Sequence, residues 1–279
     1  NILSFDYYFN GAGVALGDIN NDGLTDIFFA ANTSANKLYL NKGNMEFEDI
    51  SNSAGIDAGN WSTGVNIVDV NNDGWMDIYI CQAGPINGQR NNLLYINNKN
   101  NTFTERAKSY GLADFRLGTQ AAFFDYNRDG LIDCYVMNEA AFFRVELLKI
   151  QEEIKDEKKL RNASGVLYKN VGGKFVDVSK EAGILRYGYG LGLAVSDFNN
   201  DGWPDFYVAN DYSVPDMMWI NQRDGTFKDE IKNRTDQTSW FSMGIDVADI
   251  NNDGHLDIGV VDMATQDHFY GKTLMAPMS

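Results

Sequence analysis

Acidic and amide side chains recur at a fixed spacing in this sequence. The nonapeptide Asp-x-Asn-x-Asp-Gly-x-x-Asp occurs five times, beginning at Asp18, Asp69, Asp125, Asp197 and Asp249. Alternate residues of a tight loop point inward, so offsets 1, 3, 5 and 9 of each copy gather side-chain oxygens. Hard cations take six to eight oxygen ligands at about 2.3–2.6 Å. The pattern therefore predicts one oxygen-lined cation site in each loop.

Ca²⁺ fits this donor set better than other metals. Mg²⁺ prefers a rigid octahedron with several waters, and Zn²⁺ prefers Cys or His. Gly at offset 6 permits a sharp turn, and the variable offset 7 offers its backbone carbonyl. Offset 12 is apolar in all five copies, which excludes an EF-hand, since that loop needs a bidentate Glu there. The predicted ligands of about five Ca²⁺ ions are Asp18, Asn20, Asp22, Leu24, Asp26; Asp69, Asn71, Asp73, Trp75, Asp77; Asp125, Asn127, Asp129, Leu131, Asp133; Asp197, Asn199, Asp201, Trp203, Asp205; and Asp249, Asn251, Asp253, His255, Asp257.

Metal-free turns are the alternative, because Asn, Asp and Gly are ordinary turn residues. The charge distribution favours metal. Three aspartates in each of five loops supply fifteen negative charges, close to the whole net charge of −16. Bound Ca²⁺ would relieve this crowding of like charges.

The overall charge also limits the partners. A chain with a net charge of −16 repels nucleic acid and anionic membrane surfaces. No apolar run reaches the ~18 residues of a membrane helix. Only two histidines are present, and we find no Ser/His/Asp arrangement, Cys/His pair or HExxH motif. The composition therefore favours a non-catalytic protein without nucleic-acid partners or membrane insertion.

Each loop is flanked by strand-like segments that repeat with it. The loops start 51, 56, 72 and 52 residues apart, and apolar runs precede and follow each one. A third element and a hairpin to a fourth follow, in the segments KLYLN, LLYIN, VLYKN and MMWIN and the Phe-headed segments after them. Four short strands in each unit predict an all-β chain of β-propeller blades. Residues 1–279 then form a single domain of about four and a half blades, and we expect it to be a fragment of a longer chain.

The spacing of 72 residues points to an insertion in the third blade. Residues 140–161 carry apolar residues at helical spacing, with charges between them and no Gly or Pro. The pattern predicts a helix that packs on the propeller rim or docks a partner.

These loops and their flanking strands resemble FG-GAP/VCBS repeats, and the resemblance covers essentially the whole chain. The family is similar to the propeller of integrin α-subunits and to cartilage acidic protein-like propellers, and large bacterial surface proteins carry the same repeats. The resemblance implies a closed ring of seven or eight blades and calcium in the loops between the first and second strands. It also implies an extracellular or cell-surface location, including association with a bacterial outer membrane.

Aromatic and basic residues collect in the connections expected at the opposite end of the blades from the calcium loops. Such residues are typical of binding surfaces, although aromatic residues also pack between blades. The candidates for a protein or glycan ligand are Trp61, Arg116, Arg186, Tyr187, Tyr189 and Trp240. We therefore expect a calcium-stabilised binding module whose partner is a protein, a glycan or other domains of the same chain. The alternatives are an enzyme resembling polysaccharide lyases, with Tyr or Arg as base, and a rigid structural spacer.

Overall fold

The computed structural model describes residues 10–56, 61–84, 90–140, 150–152, 154–211, 214–239 and 241–263. Within these residues the chain forms antiparallel sheets and short helices. The predicted all-β fold built from propeller blades is confirmed.

Four sheets have four strands each, in the order in which the strands follow along the chain. The first contains β1 (Val14–Gly17), β2 (Asp26–Phe29), β3 (Lys37–Asn41) and β4 (Phe47–Asp49). The second contains β5 (Trp61–Val68), β6 (Asp77–Ala83), β7 (Leu93–Asn97) and β8 (Phe103–Glu105). The third contains β9 (Leu117–Phe124), β10 (Asp133–Glu139), β11 (Val166–Asn170) and β12 (Phe175–Asp177). The fourth contains β13 (Gly190–Ser196), β14 (Asp205–Asn210), β15 (Met217–Asn221) and β16 (Phe227–Asp229).

A fifth sheet pairs β17 (Ser242–Ala248) with β18 (Asp257–Asp262). In the described part of the chain, three short helices with defined bounds lie between strands: α1 (Ala107–Tyr110), α2 (Glu157–Asn162) and α3 (Ile231–Arg234). α2 lies between β10 and β11, inside the predicted insertion, and residues 150–152 are also helical. Residues 141–149 and 153 of that insertion lie outside the described residues, so its bounds stay a prediction.

The second strand of each of the second, third and fourth sheets is buried along its whole length. This burial explains why these strands, such as β6 with the sequence DIYICQA, are apolar on both faces rather than alternating. Such a strand needs an apolar layer above and below it, as stacked blades provide.

The chain divides into two compact units. Unit 1 comprises Asn1–Phe123, Gly130–Val136 and Leu167–Val178, and unit 2 comprises Phe124–Asp129, Met137–Val166 and Ser179–Ser279. In unit 1 the first and second sheets pack face to face, and Phe28 and Leu38 share a core with Ile78 and Ile80. In unit 2, Tyr207 and Ile220 of the fourth sheet pack with Ile245 of the fifth. Each unit therefore stacks successive blades on an apolar layer.

Close approach of the blades in unit 1 depends on glycine. A Cβ added at Gly17 would lie 2.5 Å from Ile67 Cγ2, and one added at Gly64 would lie 2.6 Å from the Thr119 carbonyl oxygen. The Gly-rich first strands of the repeat therefore permit neighbouring first strands to approach closely.

Candidate metal-binding loops

The five predicted loops join the first and second strands of their sheets. We number them loop 1 (18–26), loop 2 (69–77), loop 3 (125–133), loop 4 (197–205) and loop 5 (249–257). Each connects two antiparallel strands, so it closes a hairpin. In loops 1, 2, 4 and 5 the aspartate at offset 9 is the first residue of the second strand and pairs with the residue just before the loop.

Loop 1 gathers its oxygens around its own backbone. Asp18 Oδ1 and Asn20 Oδ1 both accept the Asp22 N–H, each at 3.1 Å. Asp18 Oδ2 accepts the Gly23 N–H at 2.8 Å, and Asp22 Oδ1 accepts the Leu24 N–H at 2.8 Å. Two side-chain oxygens that share one N–H must lie close together, so offsets 1 and 3 converge as the spacing predicts.

The same geometry recurs in the other loops. The N–H at offset 5 is shared between offsets 1 and 3 at 2.9–3.1 Å in loops 2, 3, 4 and 5. The N–H of Gly74, Gly202 and Gly254 donates to the offset 1 carboxylate of its own loop at 2.7–2.9 Å. One sequence pattern therefore gives one local structure in five places.

Two backbone positions in each loop need a left-handed conformation. The glycine at offset 6 has φ between 82° and 86° in all five loops. A Cβ added there would meet no atom within 4 Å in loops 1, 2, 3 and 5, and in loop 4 it would lie 3.6 Å from Arg128 Nη1. The residue at offset 4 also has positive φ, at 57–60°, and is Asn in four loops and Arg128 in loop 3. Asn tolerates this region better than most residues, so the Asn-x-Gly run is required by the turn itself.

In loops 1 to 4 the aspartate at offset 9 is buried and has a second set of partners. Asp26 accepts the Ile19 N–H at 2.9 Å and the Asn41 N–H at 2.8 Å, through different oxygens. Asp77 and Asp205 make the equivalent pairs. Burial raises the pKa of Asp77 to about 7 and that of Asp205 to about 6, and the neighbouring loop carboxylates add to the rise. This aspartate ties the loop to the third strand of its own sheet.

The side-chain oxygens of the five loops have the chemistry that Ca²⁺ requires, but many of their contacts are with the loop backbone. In the part of the chain that the structure describes, no three His, Cys, Asp or Glu side chains converge as a metal site. The loop carboxylates face their own N–H groups instead, as the contacts of Asp18 and Asp22 show. In loop 1, both Asp18 carboxylate oxygens and Asp22 Oδ1 each accept one of these N–H groups and retain a second lone pair. The all-oxygen donors are therefore compatible with Ca²⁺, and the predicted ligand set stays a prediction.

Sequence reasoning missed the asparagine that ends each third strand. In each of the four four-stranded sheets its N–H donates to the offset 9 aspartate, at 2.7–2.9 Å. In the second sheet Asn97 Nδ2 also donates to the Ile19 carbonyl of loop 1, at 2.8 Å, and in unit 2 Asn221 Nδ2 donates to the Tyr126 carbonyl, at 2.8 Å. The signal was present in the sequence, because Asn closes all four segments KLYLN, LLYIN, VLYKN and MMWIN.

Neighbouring loops also contact one another through offset 4. Asn21 Nδ2 donates to the Gly74 carbonyl at 3.0 Å, and Asn200 Nδ2 lies 3.0 Å from His255 Nδ1. The Arg128 guanidinium lies over the Trp203 ring, 5.5 Å from its centroid. Offset 4 therefore links each of these loops to the next one.

The residues predicted to bind a protein or glycan ligand lie in different environments. In unit 1, Trp61 is half-buried on β5, and Arg116 is mostly buried beside Asp114 and Asp177, at 3.6 and 3.5 Å. In unit 2, Arg186 is exposed and pairs with Asp229 at 2.9 Å.

Tyr187 and Tyr189 are buried and contact each other edge to face, with their hydroxyl oxygens 3.1 Å apart. They pack with Ala140 and Ile150 of the insertion. Trp240 lies outside the described residues. The burial of the two tyrosines places them in the interior of unit 2 rather than on its surface.

Repeated four-stranded blades with an acidic loop in the first hairpin define the class of this chain as a propeller-blade repeat protein. Residues 6–80 and 197–260 match the model of the FG-GAP-like repeat family. The chain therefore carries FG-GAP-like repeats, as its motifs predicted.

Two known proteins are similar to parts of the chain. Cartilage acidic protein 1 of Xenopus tropicalis is 39% identical over 77 residues, which are 27% of this chain and 12% of that protein. A solved structure of an Agrocybe aegerita lectin, described as recognising non-reducing terminal N-acetylglucosamine, matches 87% of this chain and 59% of its own at 19% identity and a TM-score of 0.48. The match to cartilage acidic protein 1 thus spans about an eighth of that protein's length.

No helix in the described ranges is both long and apolar enough to cross a membrane.

Proposed function

We propose that this chain is a non-catalytic, calcium-binding propeller module of a secreted or cell-surface protein, and that it binds a protein or a glycan. The observation that carries the proposal is the repeated convergence of offset 1 and offset 3 oxygens on one N–H in five loops. A repeated, preformed oxygen cluster is what a flexible, all-oxygen Ca²⁺ site needs.

The ion would be held by the side chains at offsets 1, 3, 5 and 9 and by the carbonyl at offset 7. It would supply positive charge to a loop that carries three carboxylates. Burial is the main cause of the raised pKa of Asp77 and Asp205, and the neighbouring loop carboxylates add to the rise. Extracellular calcium modules bind at roughly 10⁻⁴ to 10⁻³ M, and we expect the loops to bind Ca²⁺ in this range.

The partner surface is proposed at the blade ends opposite the loops. In antiparallel sheets the connections between second and third strands lie at the other end from the first hairpin. Among the members of the predicted set that the structure describes, Trp61 in unit 1 is half-buried and Arg186 in unit 2 is exposed. Aromatic and guanidinium groups of this kind stack on sugars and anchor protein interfaces.

Thermal unfolding of the full chain with Ca²⁺ and with excess chelator tests the metal part of the proposal. Ca²⁺ at 100 times its Kd would add about 2.7 kcal/mol to the free energy of unfolding for each loop that it fills, because the ion binds the folded loops only. Identical melting curves under the two conditions would refute it. Glycan and protein arrays probed with the calcium-loaded chain and with Trp61→Ala then test the partner surface.

A further inference from the structure

The turns between the third and fourth strands carry different residues at their second position, and in two of them this side chain contacts a candidate metal-binding loop. These turns, residues 42–46, 98–102 and 222–226, have the same length in the first, second and fourth sheets. In each, the N–H of the second turn residue donates to the asparagine that ends the third strand, at 2.8–2.9 Å. That second residue has positive φ and is Gly43, Lys99 or Arg223.

Lys99 and Arg223 pair with the offset 5 carboxylates of loops 2 and 4. Lys99 Nζ lies 3.2 Å from Asp73 Oδ2. Arg223 contacts Asp201 Oδ2 through two nitrogens, at 2.8 and 3.1 Å, and the Asp201 side chain is only 11% exposed. In loop 1, with Gly43 at the same position, Asp22 has no ion-pair partner among the described residues, and its Oδ2 accepts only Asn20 Nδ2 at 2.9 Å.

We propose that Lys99 and Arg223 lower the affinity of loops 2 and 4 for Ca²⁺ relative to loop 1, so that the loops form two affinity classes. The inference rests on the proposed function. A cation on the offset 5 carboxylate occupies an oxygen that the ion needs and repels the incoming ion. The same cation offsets the negative charge of an ion-free loop, so loops 2 and 4 need the metal less.

The unfavourable backbone conformation of Lys99 and Arg223 indicates that a contact of their side chains compensates for its cost. Left-handed backbone is natural for Gly43 but unfavourable for Lys or Arg, although Lys99 and Arg223 both adopt it. A Cβ at Gly43 would meet no atom within 4 Å, so space does not decide which residue is present. The ion pair is what the two cationic residues gain in that conformation.

The chain carries its own reporters for the experiment. Trp75 and Trp203 occupy offset 7 of loops 2 and 4, whereas loop 1 has Leu24. Tb³⁺ is a hard ion that takes oxygen ligands, and a tryptophan close to it sensitises its emission. In the full chain with Trp75→Phe, the part of the sensitised emission that a further Trp203→Phe removes is assigned to loop 4, and competition with Ca²⁺ then gives the affinity of that loop.

Arg223→Gln should lower the Kd for Ca²⁺, obtained from the competition with the Tb³⁺ affinity of each variant taken into account, by roughly two- to fivefold, as expected from removal of one partly exposed ion pair. Lys228→Gln is the matched control, because it removes the same charge from the same sheet and Lys228 pairs with Glu230 at 3.0 Å instead. Equal affinities of the two variants would overturn the inference while leaving the proposed function intact.

Two further variants make the test independent of Arg223. Lys99→Gln, read through Trp75 in a Trp203→Phe background, should strengthen loop 2 by a similar factor. Gly43→Arg, read through Leu24→Trp, should weaken loop 1, and an unchanged affinity there would contradict the inference. Absence of saturable, chelator-sensitive Tb³⁺ emission in every variant would refute the proposed function itself.

Discussion

At the scale of single residues, one hydroxyl distinguishes the first sheet from its neighbours. Tyr79 on β6 accepts a hydrogen bond from Asn92 Nδ2 at 2.8 Å and donates to the Leu112 carbonyl at 3.2 Å. The equivalent residue on β2 is Phe28, and Asn36 stands where the second sheet has Asn92. Asn36 Nδ2 is buried and has no hydrogen-bond partner within the described residues. The missing hydroxyl explains this unsatisfied donor.

We therefore expect opposite effects from two substitutions at this position of the repeat. Tyr79→Phe should lower the free energy of unfolding by about 1–3 kcal/mol, because it leaves Asn92 Nδ2 unsatisfied in the interior. Phe28→Tyr should raise it by about 0.5–1.5 kcal/mol, because it supplies Asn36 with an acceptor. Chemical denaturation measures both, and a loss of stability in Phe28→Tyr would show that the first sheet has no space for the hydroxyl.

At the scale of elements, the aspartate at offset 9 joins the loop to the third strand. Asp77 accepts the Val70 N–H at 3.1 Å and the Asn97 N–H at 2.9 Å, and it is completely buried. Asp77→Ala leaves two buried donors without acceptors, so it should cost more than 2 kcal/mol of stability. Hydrogen exchange should rise first at Val70 and Asn97, because a blade contacts mainly its neighbours. An equal rise in the fourth sheet would contradict this local picture.

The asparagine that ends the third strand provides an element-scale comparison between sheets. Asn97 Nδ2 donates to the carbonyls of Ile19 and Met76, whereas Asn41 Nδ2 donates only to the exposed Thr25 carbonyl. Asn97→Ala should destabilise the protein by about 1–3 kcal/mol, because the Ile19 carbonyl lies in the interior. Asn41→Ala should cost less than 1 kcal/mol. If thermal unfolding showed equal losses of stability in the two variants, the hydrogen bond from Asn97 to the Ile19 carbonyl would contribute nothing measurable to stability.

At the scale of the whole molecule, residues at the same position of two repeats differ in their burial. Ile67 on β5 packs against the core of the first sheet, and it lies next to Gly17. Leu16 occupies the same repeat position on β1 but is 63% exposed. Repeat sequence alone would assign both residues the same environment. The flank of β1 therefore presents an apolar surface of the kind that blades use to pack, and membership of a larger ring stays a prediction.

This difference predicts unequal costs of the same substitution. Ile67→Glu should destabilise this chain by about 2–4 kcal/mol, because it places a carboxylate in an apolar layer. Leu16→Glu should change the free energy of unfolding by less than about 0.5 kcal/mol, as for other exposed positions. The two variants carry the same added charge, so denaturation midpoints compare them directly. A large loss in Leu16→Glu would mean that β1 is covered in solution.

The sequence by itself determined the repeat, the strand order and the loop conformation. These depend on local chemistry: Asn and Gly at offsets 4 and 6 adopt left-handed backbone, and runs such as DIYICQA need burial on both faces. Tertiary structure decided what lies far apart in the chain. The pairs of Asn97 with Ile19 and of Arg223 with Asp201 depend on where neighbouring elements place their ends. The burial of Tyr187 and Tyr189 depends on packing against the insertion. Sequence spacing fixes only which residues share a loop or a strand face, because contacts between elements are set by how whole sheets stack.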